Sequence, residues 1–219
     1  MARKTLAEKR IDVIITSYDL APADVLELTR IMLESYRDVK GNENSSMPSM
    51  TPKEILKQKQ EMRRELLRLM KKDIKRFKAE QEKFIVKAIR APWMWEKIEY
   101  LLDKVADFSD QGKNYKKILL YGYLKGVMTN EQLEEAIPEL GENTITYRKR
   151  EAIKLFGIYI WDYALRRENE DIVAGIVDKD TDDDHPMRRK TDRRVISEEK
   201  TDEDTDEENE DNWEEDDSK

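Results

Sequence analysis

Between Lys53 and Ala91 the chain contains neither glycine nor proline, and a strong helix start stands in front of this stretch. Thr51 suits a helix cap, Pro52 the first helical position, and Glu54 can reach back to the cap. Pro92 disfavours helical geometry in the residue before it. The pattern predicts one amphipathic helix over 51–91. At 1.5 Å per residue it would span about 60 Å. Its apolar positions are Ile55, Met62, Leu66, Leu69, Met70, Ile74, Phe77, Phe84, Ile85 and Ala88, with a slip of the heptad between Leu69 and Met70. Lys59 and Gln81 fall in the seam. So narrow a stripe needs a partner, either the rest of the chain or a second copy. The opposite side carries Lys71, Lys72, Lys75, Arg76, Lys78, Lys83 and Lys87. It reads as a solvated face or as a stripe of phosphate contacts.

Elsewhere the pattern is also helical. Residues 5–18 hold Leu6, Ile11, Val13, Ile14 and Ile15, a cluster that would suit a strand, but nothing else in the chain offers it a strand partner. Val25, Leu28, Ile31, Met32, Leu33 and Tyr36 predict an amphipathic helix over 23–38. Gly41 to Met50 reads as a loop. A further helix follows Pro92, with Trp93, Ile98, Leu101, Leu102, Val105 and Phe108 as core candidates. The expected class is all-α. Its segments are an N-terminal helical segment (1–40), a linker (41–50), the long basic helix (51–91), a helical domain (92–170) and a disordered acidic tail (171–219).

Charge supports that division. Of 219 residues, 41% are charged, and the formal net charge is −8. Residues 1–170 carry 33 Lys and Arg against 28 Asp and Glu, a net +5. Residues 171–219 carry 8 against 21, a net −13. The acidic balance therefore belongs to the tail, and local potential steers a ligand, not the overall sum. The tail's few large apolar residues cannot offset the entropy of ordering it. Just upstream of its acidic end, Arg188 to Arg194 (RRKTDRR) forms a short basic run.

Several chemistries are excluded. With no cysteine there is no disulfide, thiolate metal site or cysteine nucleophile, and one histidine (His185) leaves no multi-histidine centre. Phosphate-loop, dinucleotide and HExxH motifs are absent. The aspartates around Asp178 to Asp184 lack the spaced glycine and closing glutamate of a calcium loop. No enzyme, no metal and no cofactor are expected. No apolar run is long enough to span a membrane, and the N-terminal sequence does not read as a secretory signal. A cytoplasmic protein is the expectation.

Residues 114–165 carry the functional information. Tyr115 to Leu124 predicts a helix, with Gly126 where a left-handed cap would end it. A second helix opens at Thr129 with Leu133, Ala136 and Ile137 inward, and Pro138 stops it. PELGEN turns, anchored by Leu140. A third helix starts at Asn143 or Thr144 and continues past Ile160. This order is a helix-turn-helix pattern, whose last helix enters the major groove N-terminus first. Thr144, Thr146, Tyr147, Arg148, Lys149 and Arg150 supply donors there with no carboxylate among them. Thr144, Tyr147, Arg148 and Glu151 share one face by spacing. That face is the expected site of base contacts, with Glu151 at its rear.

The stretch resembles region four of sigma factors and the ArpU-type regulators of phage late genes. The residues that carry the likeness are Tyr123 to Gly126 (YLKG), the EQLEEAI helix, the polar turn and TITYRKREAIKLFG. PELGEN is longer than the tightest turns of this kind, and no part of the chain matches the sigma core. The resemblance implies binding to double-stranded DNA by a transcriptional regulator of phage or mobile-element type. Lys71, Lys72, Lys75, Arg76 and Lys78 would add weaker phosphate contacts. The tail would compete with DNA or touch RNA polymerase. The alternative is a helical scaffold or small-terminase-like packaging adaptor, forming a homo-oligomer through the 51–91 helix.

Overall fold

The computed structural model describes residues 4–40, 50–72, 74–126, 128–140 and 142–176. The acidic tail, the RRKTDRR run and the Asp178–Asp184 aspartates lie outside the described residues, as does most of the 41–50 linker. Among the described residues there are eight α-helices and no strand. They are α1 (Leu6–Ser17), α2 (Pro22–Lys40), α3 (Pro52–Leu69), α4 (Ile74–Ile89), α5 (Pro92–Ala106), α6 (Gly112–Leu119), α7 (Asn130–Ala136) and α8 (Glu142–Val173). A π-helical turn, Leu120–Leu124, continues α6.

The start signals work as their chemistry predicts. The Thr51 hydroxyl accepts from the Glu54 N–H while Glu54 accepts from the Thr51 N–H at 2.8 Å, a closed capping box. Thr129 and Gln132 form a second one at the start of α7. α1 ends on Asp19, held at φ 63°, with the Asp19 N–H donating to the Thr16 carbonyl and Leu20 to that of Ile15. This is a left-handed helix stop, and Leu20 packs inward beside the fully buried Ile15.

The single helix expected over 51–91 is two. α3 stops at Leu69 and α4 restarts at Ile74, and the two halves find different surfaces: α3 lies on α8, α4 on α2. Gln81, placed in the seam by spacing, explains how the break is tolerated. It is buried, and its amide donates to the carbonyls of Lys72 (3.3 Å) and Leu69 (2.9 Å), the latter shared with the Lys72 N–H of the turn. Glu80 receives both Arg68 and Lys72 across the same corner. Met62, Ala88 and Ala91 then form one buried cluster, edged by Phe84, Trp93 and Met94. The apolar stripe of this region is thus used within the chain.

Gly126 differs as well. It does not adopt the left-handed conformation, which among the described glycines belongs to Gly175. The chain leaves α6 through a wide turn in which the Lys125 N–H donates to the Leu120 carbonyl, 2.7 Å and five residues back.

α8 is the axis. α1, α2, α3, α5, α6 and α7 all pack on it, so helices from 1–40, 51–91 and 92–170 share one core. Every side chain from Glu151 to Ile158 is buried. Glycine decides two of the contacts. A Cβ on Gly112 would stand 2.4 Å from the Ala106 carbonyl oxygen, so only glycine lets α6 begin that close to the end of α5. A Cβ on Gly157 would stand 2.1 Å from Thr29 Oγ1 and 2.8 Å from Val25 Cγ1, so α2 and α8 approach through that position.

Candidate nucleic-acid interface

The helix-turn-helix segment is built by α7, the turn after it and the first turns of α8. Leu133, Ile137 and Leu140 are buried, and they pin α7 and its turn to the core. Asn130 joins α7 to α8: its amide nitrogen donates to the Thr146 hydroxyl (3.3 Å) and its oxygen accepts from Lys149 Nζ (2.7 Å). Burial pushes the Lys149 ammonium below its usual value, with Glu131 acting against that shift.

The sequence-selected residues divide into two groups. Thr146 is exposed, and Tyr147, Lys149 and Arg150 are half-buried at the surface. Arg150 donates to Glu8 at 2.7 Å. Thr144 is half-buried. Arg148 turns inward, donating to Glu151 (2.7 Å) and to the Tyr115 hydroxyl (3.5 Å). Burial alone would lower the Arg148 guanidinium; its hydrogen bond to Glu151, the Glu151 charge and Tyr115 together outweigh that and raise it. Glu151 is fully buried and also accepts from Tyr115 (2.8 Å) and from the Thr5 hydroxyl. The Tyr115 hydroxyl is in turn pushed well above its ordinary value, first by burial and then by Glu151. Of the face expected for base contacts, Arg148 and Glu151 therefore point at α1 and α6, while Tyr147 stays at the surface. The outward strip is rotated from it, and consists of Thr146, Tyr147, Lys149 and Arg150.

What turns that face inward is α1. Ile11 and Ile15 are fully buried, and beside them runs a chain of charges. Lys154, 3% exposed, donates to Glu8 (2.7 Å) and Asp12 (2.6 Å), and Lys4 closes on the other Asp12 oxygen (2.6 Å). Sequence pattern gave α1 its helix but not these partners. Their only trace was a pair of acids four apart, Glu8 and Asp12, on the same side as the buried isoleucines.

Burial by itself would raise the Asp12 carboxyl, but the hydrogen bonds from Lys154 and Lys4 prevail and hold it below the usual carboxylate range. A carboxyl lowered on folding stabilises the fold above its unfolded value, near pH 4, and that contribution disappears as pH falls through the folded value. Urea unfolding at pH 7, 4 and 3 should therefore show a loss of stability in acid that is smaller in Asp12→Asn. Parallel curves for the two proteins would remove Asp12 from the account.

No family model, curated protein or solved structure matches this chain.

The residues expected to add weaker phosphate contacts stand around the α3–α4 corner. Lys72 pairs with Glu80 and lies over the Phe77 ring. Lys78 pairs with Glu27 and Glu82. Arg76 is exposed and also lies over Phe77, and Lys71 is exposed. The Lys75 side chain lies outside the described residues. Among the described residues no cluster of acids and histidine could hold a metal ion, and no helix is long and apolar enough to cross a membrane.

Proposed function

We propose that the chain is a sequence-specific DNA-binding regulator of phage or mobile-element type, presenting the start of α8 to the major groove of duplex DNA. The observation that carries this reading is the outward strip itself. Thr146, Tyr147, Lys149 and Arg150 offer hydrogen-bond donors at the surface, while Glu151, the carboxylate that follows them, is turned fully inward. A recognition helix needs this arrangement, because an outward carboxylate there would repel phosphates. The preceding helix, α7, is pinned by its buried leucine and isoleucine, and Asn130 sets its register against α8.

The roles follow from the geometry. Arg150, which spends one guanidinium nitrogen on the buried Glu8 and is the more exposed of the two arginines, and Thr146 are the candidate base readers. Lys149, held by Asn130, and Tyr147 position the backbone. Arg148 is a positioning residue, because its guanidinium is committed to Glu151 and Tyr115. Assembly through one continuous 51–91 helix finds no support in the packing, since the helix is broken after Leu69 and Met62, Leu67, Leu69, Ile85, Ala88 and Ile89 are buried within the chain.

The test is to select a preferred duplex from a random library with the full chain and to compare it with a scrambled duplex by anisotropy. Arg150→Ala should weaken the preferred duplex by about tenfold or more, the value of one good base contact. The scrambled duplex should weaken far less. If the wild-type chain selects no sequence, or the variant keeps its full discrimination, the reading is wrong.

A further inference from the structure

Beside the outward strip lies an open hollow of about 440 Å³, lined by Lys4, Thr5, Leu6, Lys9 and Tyr147. It belongs to α1, which no helix-turn-helix reading of residues 114–165 includes. We propose that this hollow is a phosphate site, and that in the DNA complex it takes one backbone phosphate of the duplex. The second part rests on the function proposed above; the first does not.

Three observations meet here. The first is a local surplus of positive charge. Across the α1–α8 contact, the cations Lys4, Arg148, Arg150 and Lys154 face the carboxylates Glu8, Asp12 and Glu151, which leaves one positive charge unbalanced. Lys9 adds another. It is exposed, and among the described residues its side chain has no hydrogen-bond or ion-pair partner, so its ammonium is unspent. The second is the set of neutral donors. The Tyr147 phenol shares the hollow with Lys9. The Thr5 hydroxyl caps the Glu8 N–H, which leaves the N–H groups of Leu6 and Ala7 at the open end of a twelve-residue helix. The third is the wall. Leu6 is 68% exposed, an apolar surface beside the cations that suits the sugar next to a phosphate.

Position gives the hollow its meaning. Tyr147 belongs both to the outward strip and to the hollow, so a duplex seated on α8 brings its backbone past α1. Phosphate contacts of this kind fix orientation and carry no sequence information.

The experiment uses the full chain and two probes. Sodium phosphate is titrated at constant ionic strength and followed by amide NMR, and a 20-base-pair duplex is followed by anisotropy over a range of salt. Saturable shifts at Leu6, Ala7 and Lys9 are expected with phosphate, lost in Lys9→Gln and kept in Lys53→Gln, an exposed lysine on α3. With the duplex, Lys9→Gln should reduce the slope of log affinity against log salt by about 0.9, one phosphate contact. Absence of the phosphate shifts, or shifts indifferent to Lys9→Gln, overturns the site. Duplex binding with a slope unchanged by Lys9→Gln overturns the placement of a backbone phosphate in the hollow and leaves the DNA reading standing. Phosphate shifts that vanish in Lys9→Gln, in a chain that binds no duplex, support the site and overturn the DNA reading.

Discussion

Gly157→Ala should cost about 3 kcal/mol of stability, the upper end of what overpacking a core costs. In an open helix the same change would gain about 1 kcal/mol, because glycine is the poorer helix former. Here the sign reverses, because the new methyl would meet Thr29 Oγ1 at 2.1 Å, Val25 Cγ1 at 2.8 Å and Thr29 Cβ at 3.3 Å. Thr29 and Val25 are β-branched residues inside α2, and rotating either moves another branch toward the same space. Relief therefore requires α2 to shift as a body, and α2 holds Leu33 and Tyr36 in the core. A thermal melt reads the effect, and for a body of this size about 3 kcal/mol lowers the midpoint by roughly 6–12 °C. Thr29→Ala combined with Gly157→Ala should recover part of the loss. A single variant as stable as the wild type would mean that the two helices are not in close contact.

Lys154→Met should be comparably severe, about 3–5 kcal/mol, because it breaks a buried ion pair from one side. Methionine keeps the length and the apolar stem, so packing changes little and the charge is isolated. Glu8 would remain fully buried with Arg150 as its one ion-pair partner, and its second oxygen already has no hydrogen bond. Asp12 would keep only Lys4. Glu8→Gln in the same chain removes the stranded charge and should restore a large part of the loss, and a double-mutant cycle by urea unfolding measures the coupling. A Lys154→Met chain that loses less than about 1 kcal/mol would show that the isoleucines alone anchor α1. Against a typical total of about 5–15 kcal/mol, either substitution consumes much of the margin.

Helix starts were legible because capping is local. Thr51, Pro52 and Glu54, or Thr129 and Gln132, contain in four residues everything their hydrogen bonds require. Most of the inward set around the turn was legible for the same reason: Leu133, Ile137 and Leu140 are buried, while Ala136, expected inward, is exposed at the last turn of α7. The break after Leu69 was not. No glycine or proline marks it, and its support comes from Gln81, a residue twelve positions on; the slip of the heptad at Leu69 and the polarity of Gln81 in an apolar seam were its only traces. The site divides similarly. Donors at the start of α8 are visible in the sequence. The direction they face is not, because it depends on partners such as Glu8 and Thr5, about 140 residues away. Spacing defines which residues share a face. It cannot tell which face the rest of the protein covers.

The α1–α8 contact has a consequence for how the chain is made. Thr5 and Glu8 meet residues 142–146 positions downstream. At roughly 5–20 residues per second, a ribosome needs on the order of ten to thirty seconds to deliver those partners. For that interval α1 lacks its α8 partners, and the side chains of Lys4, Glu8 and Asp12 stay in water. The charges that later lock the helix down are the same ones that make its wait tolerable.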